Sequence, residues 1–525
     1  MDTKALRQKV LDLAIRGKLV PQDPNDEPAS VLLERIRQQK QQMVKDGKLK
    51  AKDIKNDTII FVGEDNLHYE KFADGSVKCI EDEIPFDLPD GWAWERIGNV
   101  STIARGGSPR PIEDFLTDDA DGINWIKIGD TEKDGKYILH TKEKIKPVGL
   151  SKTRYVRSGD FLLTNSMSFG RPYILKTDGC IHDGWLVIGN IDTVFNQDYL
   201  YYALSSGFMY TTLSLLAAGS TVKNLKSDTV RSVLFPIPPL GEQERMARRI
   251  EQLITFVDDI NANKNQLIDI INQTKAKILD LAIRGQLVPQ DPADEPASVL
   301  LERIRAEKEE LIRKGKIKRD KKESIIFRGE DNSYYEKIGS KVVNIDDEIP
   351  FELPNNWAWS RGYSCFEGME STKPKGKFFD YIDIDAIDNR LHQIKEAKHL
   401  SVSDAPSRAS RAVKNGSVLF SLVRPYLENI ALIEEKHSHC IASTGFYICN
   451  SNGVFLPEFM FYLMISGYVV GGLNQHMKGD NSPSISKDNI EGWLYPIPPV
   501  EEQKKICDKL QVIFALIESV EKSLS

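Results

Sequence analysis

Apolar residues recur at alternating spacings of four and three along the middle of the chain. The pattern lies between Pro239 and Gly285, polar Lys264 and Thr274 fill two of its positions, and its apolar members are Met246, Ile250, Leu253, Val257, Ile260, Leu267, Ile271, Ile278 and Leu281. Such spacing indicates a coiled-coil seam, on a helix that would be roughly 70 Å long. An ordinary amphipathic helix on a globular core is the alternative, which the uninterrupted length disfavours.

Both chain ends repeat parts of this seam. The N-terminus repeats its second half with Leu6, Val10 and Leu13, and the C-terminus repeats its first half with Ile506, Leu510, Ile513, Ile517, Val520 and Leu524. If the ends meet beside the central helix, they rebuild the same element. The pattern therefore predicts long antiparallel coiled-coil helices related by a pseudo-twofold axis.

Several other segments of the chain also occur twice. The block from Leu11 to Arg37 returns at 279–305 with differences only at Lys18 (Gln286) and Asn25 (Ala293). Shorter matches follow in the same order in both copies: GEDN at Gly63 and Gly329, DEIPF at Asp82 and Asp347, and PIPP at Pro236 and Pro496. Between Trp94 and Pro236, and between Trp359 and Pro496, almost nothing matches. A duplicated frame thus carries two dissimilar inserts.

Local signals divide the frame further. Gly17 and Gly285 are suited to end the helices before them, and Ser30 and Ser298 are candidate N-caps of the helices through SVLLERIR. Trp92, Trp94, Trp357 and Trp359 are expected to be core anchors rather than stacking platforms. Basic tracts follow these helices, and they indicate either solvated helix ends or phosphate contacts: Lys45, Lys48, Lys50, Lys52, Lys55, Arg313, Lys314, Lys316, Lys318, Arg319, Lys321 and Lys322.

Each insert alternates apolar and polar residues between glycine turns and ends with a short helical segment, as in DYLYYALSSGFM and EFMFYLMISGYV. The predicted fold class is α+β, with two mixed α/β domains separated by the long helices. The predicted segments are an N-terminal frame segment (1–37), a basic tract and lead-in (38–96), module 1 (97–235), the central helix and turn (236–305), a second basic tract and lead-in (306–361), module 2 (362–495) and a C-terminal helix (496–525).

Composition restricts the class of protein but does not identify a function. The formal net charge of −7 by itself discourages a nucleic-acid partner, but the cations are unevenly distributed. Six cysteines without a CxxC pair argue against a zinc module or a disulfide framework. No apolar run reaches the roughly 20 residues of a membrane span and the first residues do not resemble a signal peptide, so a cytoplasmic protein without membrane contact is expected.

Signs of catalysis are sparse. The sequence has no GxxxxGK[ST] phosphate loop, no NPPY-like methyltransferase tetrapeptide and no HExxH, and its eight histidines are dispersed. Asp383 and Asp385 are a conceivable metal pair, although an exposed strand edge explains them equally well. We expect no autonomous active site and no metal.

The order of these features resembles the DNA specificity subunit of type I restriction-modification systems. The resemblance rests on the duplicated helical frame, the LxxAIxGxL turn, the WxW at the start of each insert and the PIPPxxEQ exits. Within module 1 it extends to GGSPRPIEDF, INWIKIGDT, LLTNSMSFGRPYI and AAGSTVKNL. Module 2 follows the pattern less closely, through LFSLVRPYLENIA and KGDNSPSIS.

The resemblance implies a non-catalytic chain that binds no cofactor and whose two target-recognition domains read the halves of a split double-stranded DNA site. Two methyltransferase subunits would use S-adenosylmethionine to methylate adenine, and two restriction and translocase subunits would use ATP and Mg²⁺. A scaffold whose modules bind proteins and a fused restriction enzyme are the other hypotheses, and the missing motifs argue against the second.

Residue chemistry selects candidate DNA contacts in the module loops. Arg and Lys suit guanine, Asn and Gln suit adenine, and polar loops approach phosphates. The candidates in module 1 are Ser108, Arg110, Lys127, Asn165, Ser168, Arg171, Thr221, Lys223 and Asn224. Those in module 2 are Lys373, Lys375, Arg424, Tyr426, Asn429, Lys478, Asn481 and Ser484.

Overall fold

The computed structural model describes residues 2–51, 54–132, 135–165, 169–217, 225–317, 319 and 322–524. It divides into two compact units, Met1–Asn263 (unit 1) and Lys264–Ser525 (unit 2). Among the described residues, no helix combines the length and apolar character that crossing a membrane would need.

Unit 1 combines a helical frame with short strands. Its helices are α1 (Thr3–Ile15), α2 (Ala29–Lys45), α3 (Ile97–Val100), α4 (Gln197–Leu204), α5 (Gly207–Leu216), α6 (Ser227–Arg231) and the first part of α7 (Leu240–Ile283). Its strands are β1 (Ile59–Val62), β2 (His68–Lys71), β3 (Val77–Cys79), β4 (Ala93–Arg96), β5 (Thr102–Arg105), β6 (Leu116–Thr117), β7 (Ile123–Ile126), β8 (Tyr137–Ile138), β9 (Glu143–Ile145), β10 (Arg154–Val156), β11 (Phe161–Thr164), β12 (Pro172–Leu175), β13 (Gly179–Ile181), β14 (Trp185–Gly189) and β15 (Leu234–Ile237).

These strands form four sheets among the described residues, in the orders β1-β2-β3, β10-β13-β7-β9-β6, β5-β14-β11-β12-β8 and β15-β4. Module 1 contains the two five-stranded sheets. The pair β4 and β15 is antiparallel, with Trp94 opposite Pro236. Because one strand leads into module 1 and the other leads out, the two ends of the module lie side by side.

Unit 2 has the same kinds of element. Its helices are the rest of α7, α8 (Ala297–Arg313), α9 (Gly362–Cys365), α10 (Pro457–Met464), α11 (Gly467–Asn474), α12 (Lys487–Gly492) and α13 (Val500–Leu524). Its strands are β16 (Ile325–Arg328), β17 (Tyr334–Ile338), β18 (Lys341–Asn344), β19 (Ala358–Arg361), β20 (Phe378–Ile382), β21 (Ile387–Asp388), β22 (Gln393–Ile394), β23 (Lys398–Ser401), β24 (Ala409–Ala412), β25 (Val418–Ser421), β26 (Ile430–Leu432), β27 (Ile441–Ser443), β28 (Phe446–Cys449) and β29 (Leu494–Ile497).

The described strands of unit 2 pair in the orders β16-β17-β18, β19-β29, β23-β20-β27-β24, β21-β22 and β26-β25-β28. Here too the strands that lead into and out of the module pair with each other, with Trp359 opposite Pro496. The mixed α/β character expected of both modules is therefore present.

The largest apolar core of each unit joins frame helices to the module. In unit 1 it includes Leu11 of α1, Leu32 of α2, Leu200 of α4 and Ile250 of α7. In unit 2 α7, α8, α10 and α13 contribute in the same way. A module is thus fixed to its frame by buried side chains as well as by its paired end strands.

The tryptophans at the start of each module are anchors, as expected. Trp92 donates its indole N–H to Glu242 Oε2 at 3.0 Å, and Trp357 donates to Glu502 Oε2 at 2.9 Å. Both rings are buried, and so are Trp94 and Trp359. The duplicated sequence therefore builds the same contact in each unit.

The single long helix expected from the seam is α7, whose 44 residues span about 66 Å at the usual rise. In unit 1 it runs antiparallel to α1, because Thr3 contacts Asn261 (3.3 Å) while Arg7 forms an ion pair with Asp258. In unit 2 its second part contacts α13 through the Lys275–Glu521 ion pair at 2.8 Å. Each chain end thus lies along a part of α7.

The expected serine caps are wrong. Helix α2 begins at Ala29, one residue before Ser30, with Pro28 at the N-cap position and no side-chain cap. The N–H of Ala29 instead donates to the carbonyl of Gly91 at 2.8 Å. Helix α8 begins in the same way after Pro296. Each serine is therefore the second residue of its helix rather than the N-cap, and backbone from the loop before β4 or β19 accepts the first N–H of the helix.

Gly17 is required both for its backbone conformation and for packing. Its φ is +65°, and a Cβ there would lie 2.3 Å from Pro89 Cγ. Gly47 has nearly the same φ, +68°, with no heavy atom within 4 Å of a Cβ. The two glycines thus separate the effect of backbone strain from that of packing.

We expect Gly17→Ala to lower the free energy of unfolding by about 3 kcal/mol or more, because left-handed strain and a steric clash add. Gly47→Ala should cost only about 1 to 2 kcal/mol. Urea unfolding of both variants followed by circular dichroism measures the difference. Equal destabilisation would show that the contact with Pro89 contributes nothing.

Candidate nucleic-acid interface

The loop between β13 and β14 in unit 1, residues 182–184, brings three candidate residues together. Ser108 Oγ donates to Asp183 Oδ1 at 2.9 Å, and Asn165 Nδ2 donates to the Asp183 carbonyl at 2.7 Å. The Arg110 guanidinium, with 81% of its side chain exposed, reaches the same carboxylate at 3.5 Å. Burial raises the pKa of Asp183, but the Ser108 hydrogen bond and the nearby positive charges lower it by a larger amount. The net pKa therefore lies below the usual value.

Two glycines make this arrangement possible. A Cβ on Gly106 would lie 2.2 Å from the carbonyl oxygen of His182, and one on Gly107 would lie 2.8 Å from the carbonyl oxygen of Lys152. Either side chain would push the loop away. The GGSPR segment therefore carries Ser108 to Asp183 only because its first two residues have no side chain.

Three exposed cations that the sequence reasoning missed border the same loop. Arg105 Nε donates to the Asp183 carbonyl at 2.9 Å, and Arg154 Nε donates to the Arg105 carbonyl at 3.1 Å. Lys152 lies next to Thr153, whose hydroxyl donates to the Ile181 carbonyl at 2.8 Å. The recurring basic residues of the segment SKTRYVR were the sequence signal that could have found Lys152 and Arg154. With Arg110, these residues surround the loop with positive charge.

Lys127 and Arg171 are less exposed than expected. The Lys127 ammonium forms an ion pair with Glu143, and the Arg171 guanidinium lies 5.5 Å from the ring centroid of Tyr173. The candidates Ser168, Thr221, Lys223 and Asn224 lie outside the described residues.

In unit 2 two loops bring five candidates together. Arg424 has a left-handed backbone (φ 48°), donates its N–H to the Pro483 carbonyl at 2.7 Å and donates Nη2 to the Asn481 carbonyl at 3.1 Å. Lys478 and Ser484 exchange two backbone hydrogen bonds of 3.0 Å, which closes the second loop. Tyr426 is 47% exposed beside Arg424 in the first loop.

Lys373 and Lys375 belong to the same edge of unit 2, which a series of backbone hydrogen bonds holds together. Thr372 N–H donates to Ser410 O (2.9 Å), Thr444 N–H to Arg408 O (2.9 Å) and Leu422 N–H to Gly445 O (2.8 Å). Both lysines are exposed, and so is Arg408, which the sequence reasoning missed. The recurring basic residues of the segment SRASRAVK were the sequence signal that could have found it.

Two of the candidates, Asn165 and Asn429, are not at the surface. Asn165 is 1% exposed and Asn429 is 9% exposed. The Asn165 amide instead holds the carbonyl of Asp183, and its backbone bonds to Gly184 and Leu225 at 3.0 Å each. This burial contradicts the expectation of surface positions, and it follows from the place of each residue beside the end of a core strand.

The two modules share this backbone arrangement although their sequences do not match. In unit 1 Asn165 donates its N–H to Gly184 and accepts from Leu225. In unit 2 Leu422 donates to Gly445 and accepts from Ile485 at 2.9 Å. The residue after the central strand therefore joins the same two loops in each module, while different side chains are presented.

The basic tracts of the frame are partly engaged by carboxylates. Lys322 pairs with Asp488 at 3.0 Å and Arg319 with Glu309 at 2.5 Å. This favours a structural role for the second tract. Lys52, Lys318 and Lys321 lie outside the described residues.

The acidic pair Asp383 and Asp385 is explained by local contacts. Asp385 forms an ion pair with Lys398 at 2.7 Å, and Asp383 accepts a hydrogen bond from the Ile384 N–H at 2.9 Å. Within the described ranges, no group of three or more His, Cys, Asp or Glu side chains is placed to hold a metal ion.

Two modules with one backbone plan thus present unlike exposed loops and exposed basic residues. Comparison with known proteins shows which proteins this chain is similar to. Residues 89–269 match the family model described as the type I restriction modification DNA specificity domain. Over 97% of the chain, 27% of residues are identical to the specificity subunit of the type I restriction enzyme EcoAI from Escherichia coli, of which 88% is covered. The EcoEI specificity subunit from the same species is also 27% identical, over 99% of this chain and 90% of that protein.

A solved structure described as "Structural basis underlying complex assembly and conformational transition of the type I R-M system" shares the fold. The TM-score is 0.53 at 17% identity, covering 84% of this chain and 94% of that one. The chain is therefore similar over nearly its whole length to type I restriction enzyme specificity subunits, which are non-catalytic components of the restriction-modification complex.

Proposed function

We propose that this chain is a specificity subunit that reads an asymmetric DNA site in two halves, one with module 1 and the other with module 2. The observation that carries the proposal is the shared loop arrangement, in which equivalent backbone hydrogen bonds at Asn165 and Leu422 support different polar and basic side chains. Two modules with similar backbones and different surfaces are suited to dock on DNA in the same way and to recognise two different base sequences.

The exposed charges support contact with phosphates. Although the formal net charge is −7, exposed cations gather at the loops of each module, such as Arg105, Arg110 and Arg154 in unit 1. Phosphate contacts fix orientation on a duplex, and base contacts supply the sequence preference. The overall acidity keeps the remaining surface from competing for DNA.

Base reading is assigned to the exposed loop residues. Arg424, Lys478 and Asn481 lie within one loop cluster, where the guanidinium of Arg424 is oriented by the Asn481 carbonyl. An oriented guanidinium is suited to the paired acceptors of guanine. The buried amides of Asn165 and Asn429 are assigned a positioning role instead.

Arg424→Ala is expected to weaken binding by about 1 to 3 kcal/mol and to relax the preference at one base pair of a single half-site. Lys50→Ala is the comparison, since a phosphate contact should weaken all sequences alike and reduce the salt dependence. Fluorescence anisotropy with duplexes varied at each position measures both. A uniform loss across sequences would make Arg424 a phosphate contact.

The duplicated frame suits two copies of one partner. The Trp92–Glu242 contact of unit 1 and the Trp357–Glu502 contact of unit 2 show that the repeated sequence forms the same local structure. We assign the frame to two methyltransferase subunits, which use S-adenosylmethionine, and assign the assembled complex to two ATP- and Mg²⁺-dependent restriction subunits. The paired helices α1, α7 and α13 would form the antiparallel coiled coil and its pseudo-twofold arrangement.

A binding assay with random duplex pools, with and without methyltransferase subunits, tests the proposal. The complex should retain DNA with a sequence preference that the methyltransferase subunits alone lack. Retention of proteins but no duplex would support a protein-binding scaffold instead.

A further inference from the structure

The three-stranded sheet β1-β2-β3 of unit 1 turns one face toward the frame. Residues directly opposite in an antiparallel pair point to the same face, and Ile60 lies opposite Glu70. Ile60 packs with Trp94, and Glu70 forms a buried ion pair with Arg96 at 2.7 Å. The sheet β16-β17-β18 does the same in unit 2, where Glu336 pairs with Arg361 at 3.0 Å.

The opposite face, the outward face, exposes apolar side chains around a single lysine in each unit. In unit 1 it carries Ile59, Phe61 and Val77, which are 37%, 40% and 52% exposed, together with Tyr69 and Lys71. The outward face in unit 2 repeats these residue types as Ile325, Phe327, Tyr335, Lys337 and Val342, with Phe327 41% and Val342 50% exposed. An outer sheet face is usually polar, and a contiguous apolar patch marks a site of protein contact.

The repeated GEDN turn fixes an aromatic pair on this face. A Cβ on Gly63 would lie 2.7 Å from Tyr69 Cε2, and Tyr69 Oη donates to Asp65 Oδ2 at 2.7 Å. The Tyr69 ring is thereby held 5.8 Å from that of Phe61, with 24° between the planes. In unit 2 the equivalent rings are 5.9 Å apart at 25°. Such a pre-ordered aromatic pair loses little entropy on binding.

We propose that the outward face of each unit is a docking surface for a protein subunit that binds this chain in two copies. The inference rests on the proposed function, under which that subunit is the methyltransferase. The modules differ, yet both outward faces keep Ile, Phe, Tyr, Lys and Val at matching positions and differ at Cys79 and Asn344, so their occupant is one that meets both units. The exposed carboxylates of Glu64, Asp65, Glu330 and Asp331 lie at the hairpin ends of the two sheets. These charges would repel phosphates, which favours a protein over DNA.

Cys79 provides a direct probe of the surface. It lies opposite Tyr69 on the outward face and is exposed, whereas the other five cysteines are buried or half-buried in the described structure. Burial raises the pKa of Cys180 to about 11 and that of Cys507 to about 12, so those thiols react slowly. The type I methyltransferase subunit should abolish rapid maleimide labelling of Cys79, and duplex DNA alone should not. Undiminished labelling in the assembled complex, or protection by DNA alone, would overturn the proposal.

Substitutions on the outward face of each unit test the two docking surfaces separately. Phe61→Lys and Phe327→Lys should each weaken the binding of one methyltransferase subunit about tenfold to a hundredfold, and the double variant should weaken both. Phe61→Tyr keeps the ring and should bind normally. Leu139→Lys, at a 58% exposed position in module 1, is the matched control.

Native mass spectrometry of titrated mixtures measures the stoichiometry and affinity of each variant. Folding is checked by circular dichroism, and Phe61→Ser replaces any lysine variant that fails this check. Two subunits bound with normal affinity by the double variant would overturn the docking surface and leave the proposed function intact. Failure of the wild-type chain to bind any methyltransferase subunit would contradict the proposed function itself.

Discussion

Exchanging residues 97–235 for the corresponding module of another specificity subunit should replace one half of the recognised DNA sequence and leave the other half unchanged. The exchange should leave the frame intact because β4 and β15 pair with each other, so the two ends of module 1 lie side by side. The loops around Asp183 move with the module, while α1, α2 and α7 remain. Each mismatched base pair costs about 1 to 3 kcal/mol, so losing a half-site of three or more base pairs should lower affinity for the original DNA by about a hundredfold or more.

Sequencing the DNA that the chimeric complex selects measures this result. The reciprocal exchange of residues 362–495 is the matched control and should change only the other half, since β19 and β29 pair in the same manner. A simultaneous change of both halves in either chimera would contradict independent reading by two modules.

Removing one heptad from the middle of α7, residues 262–268, should shorten the gap between the two half-sites by about three base pairs. Seven residues span roughly 10 Å of helix, and base pairs are stacked about 3.4 Å apart. This stretch lies in sequence between the Thr3–Asn261 contact and the Lys275–Glu521 ion pair, so both contacts are retained. Its residues are exposed or half-buried, so little packing is lost.

The deletion keeps the 4,3 pattern in phase, because a whole heptad is removed. The half-site sequences should survive because the modules are untouched, although affinity should fall because DNA twist changes with the spacing. Replacing residues 262–268 by seven alanines keeps the helix length and should leave the gap unchanged. A folded deletion variant that still prefers the original gap would show that the helices do not set it.

The frame could be predicted from the sequence because its signals are local and occur twice. The long helix, the glycine stop at Gly17 and the anchoring role of Trp92 follow from periodicity, backbone geometry and repeated position. The prediction of Ser30 as the N-cap was wrong because the helix begins one residue earlier, at Ala29, whose N–H donates to the carbonyl of Gly91, a residue distant in sequence. Repetition thus reveals which segments matter, and tertiary contacts decide how their ends are satisfied.

The candidate interface could be predicted only in part. The grouping of Arg424 with Asn481 depends on how two distant loops pair, and no local pattern records that pairing. Asn165 has the right chemistry for adenine but lies at the end of a core strand, so it is buried. Asp183 was missed for the opposite reason: an acidic residue does not look like a DNA contact, yet it holds the loop that presents the cations.

The most direct test of the account is the sequence of the DNA that the wild-type chain, assembled with methyltransferase subunits, selects from a random duplex pool. Reading by modules 1 and 2 predicts two short, unlike motifs separated by a fixed gap of unspecified bases. One continuous motif, two identical half-sites or no enrichment at all would contradict it.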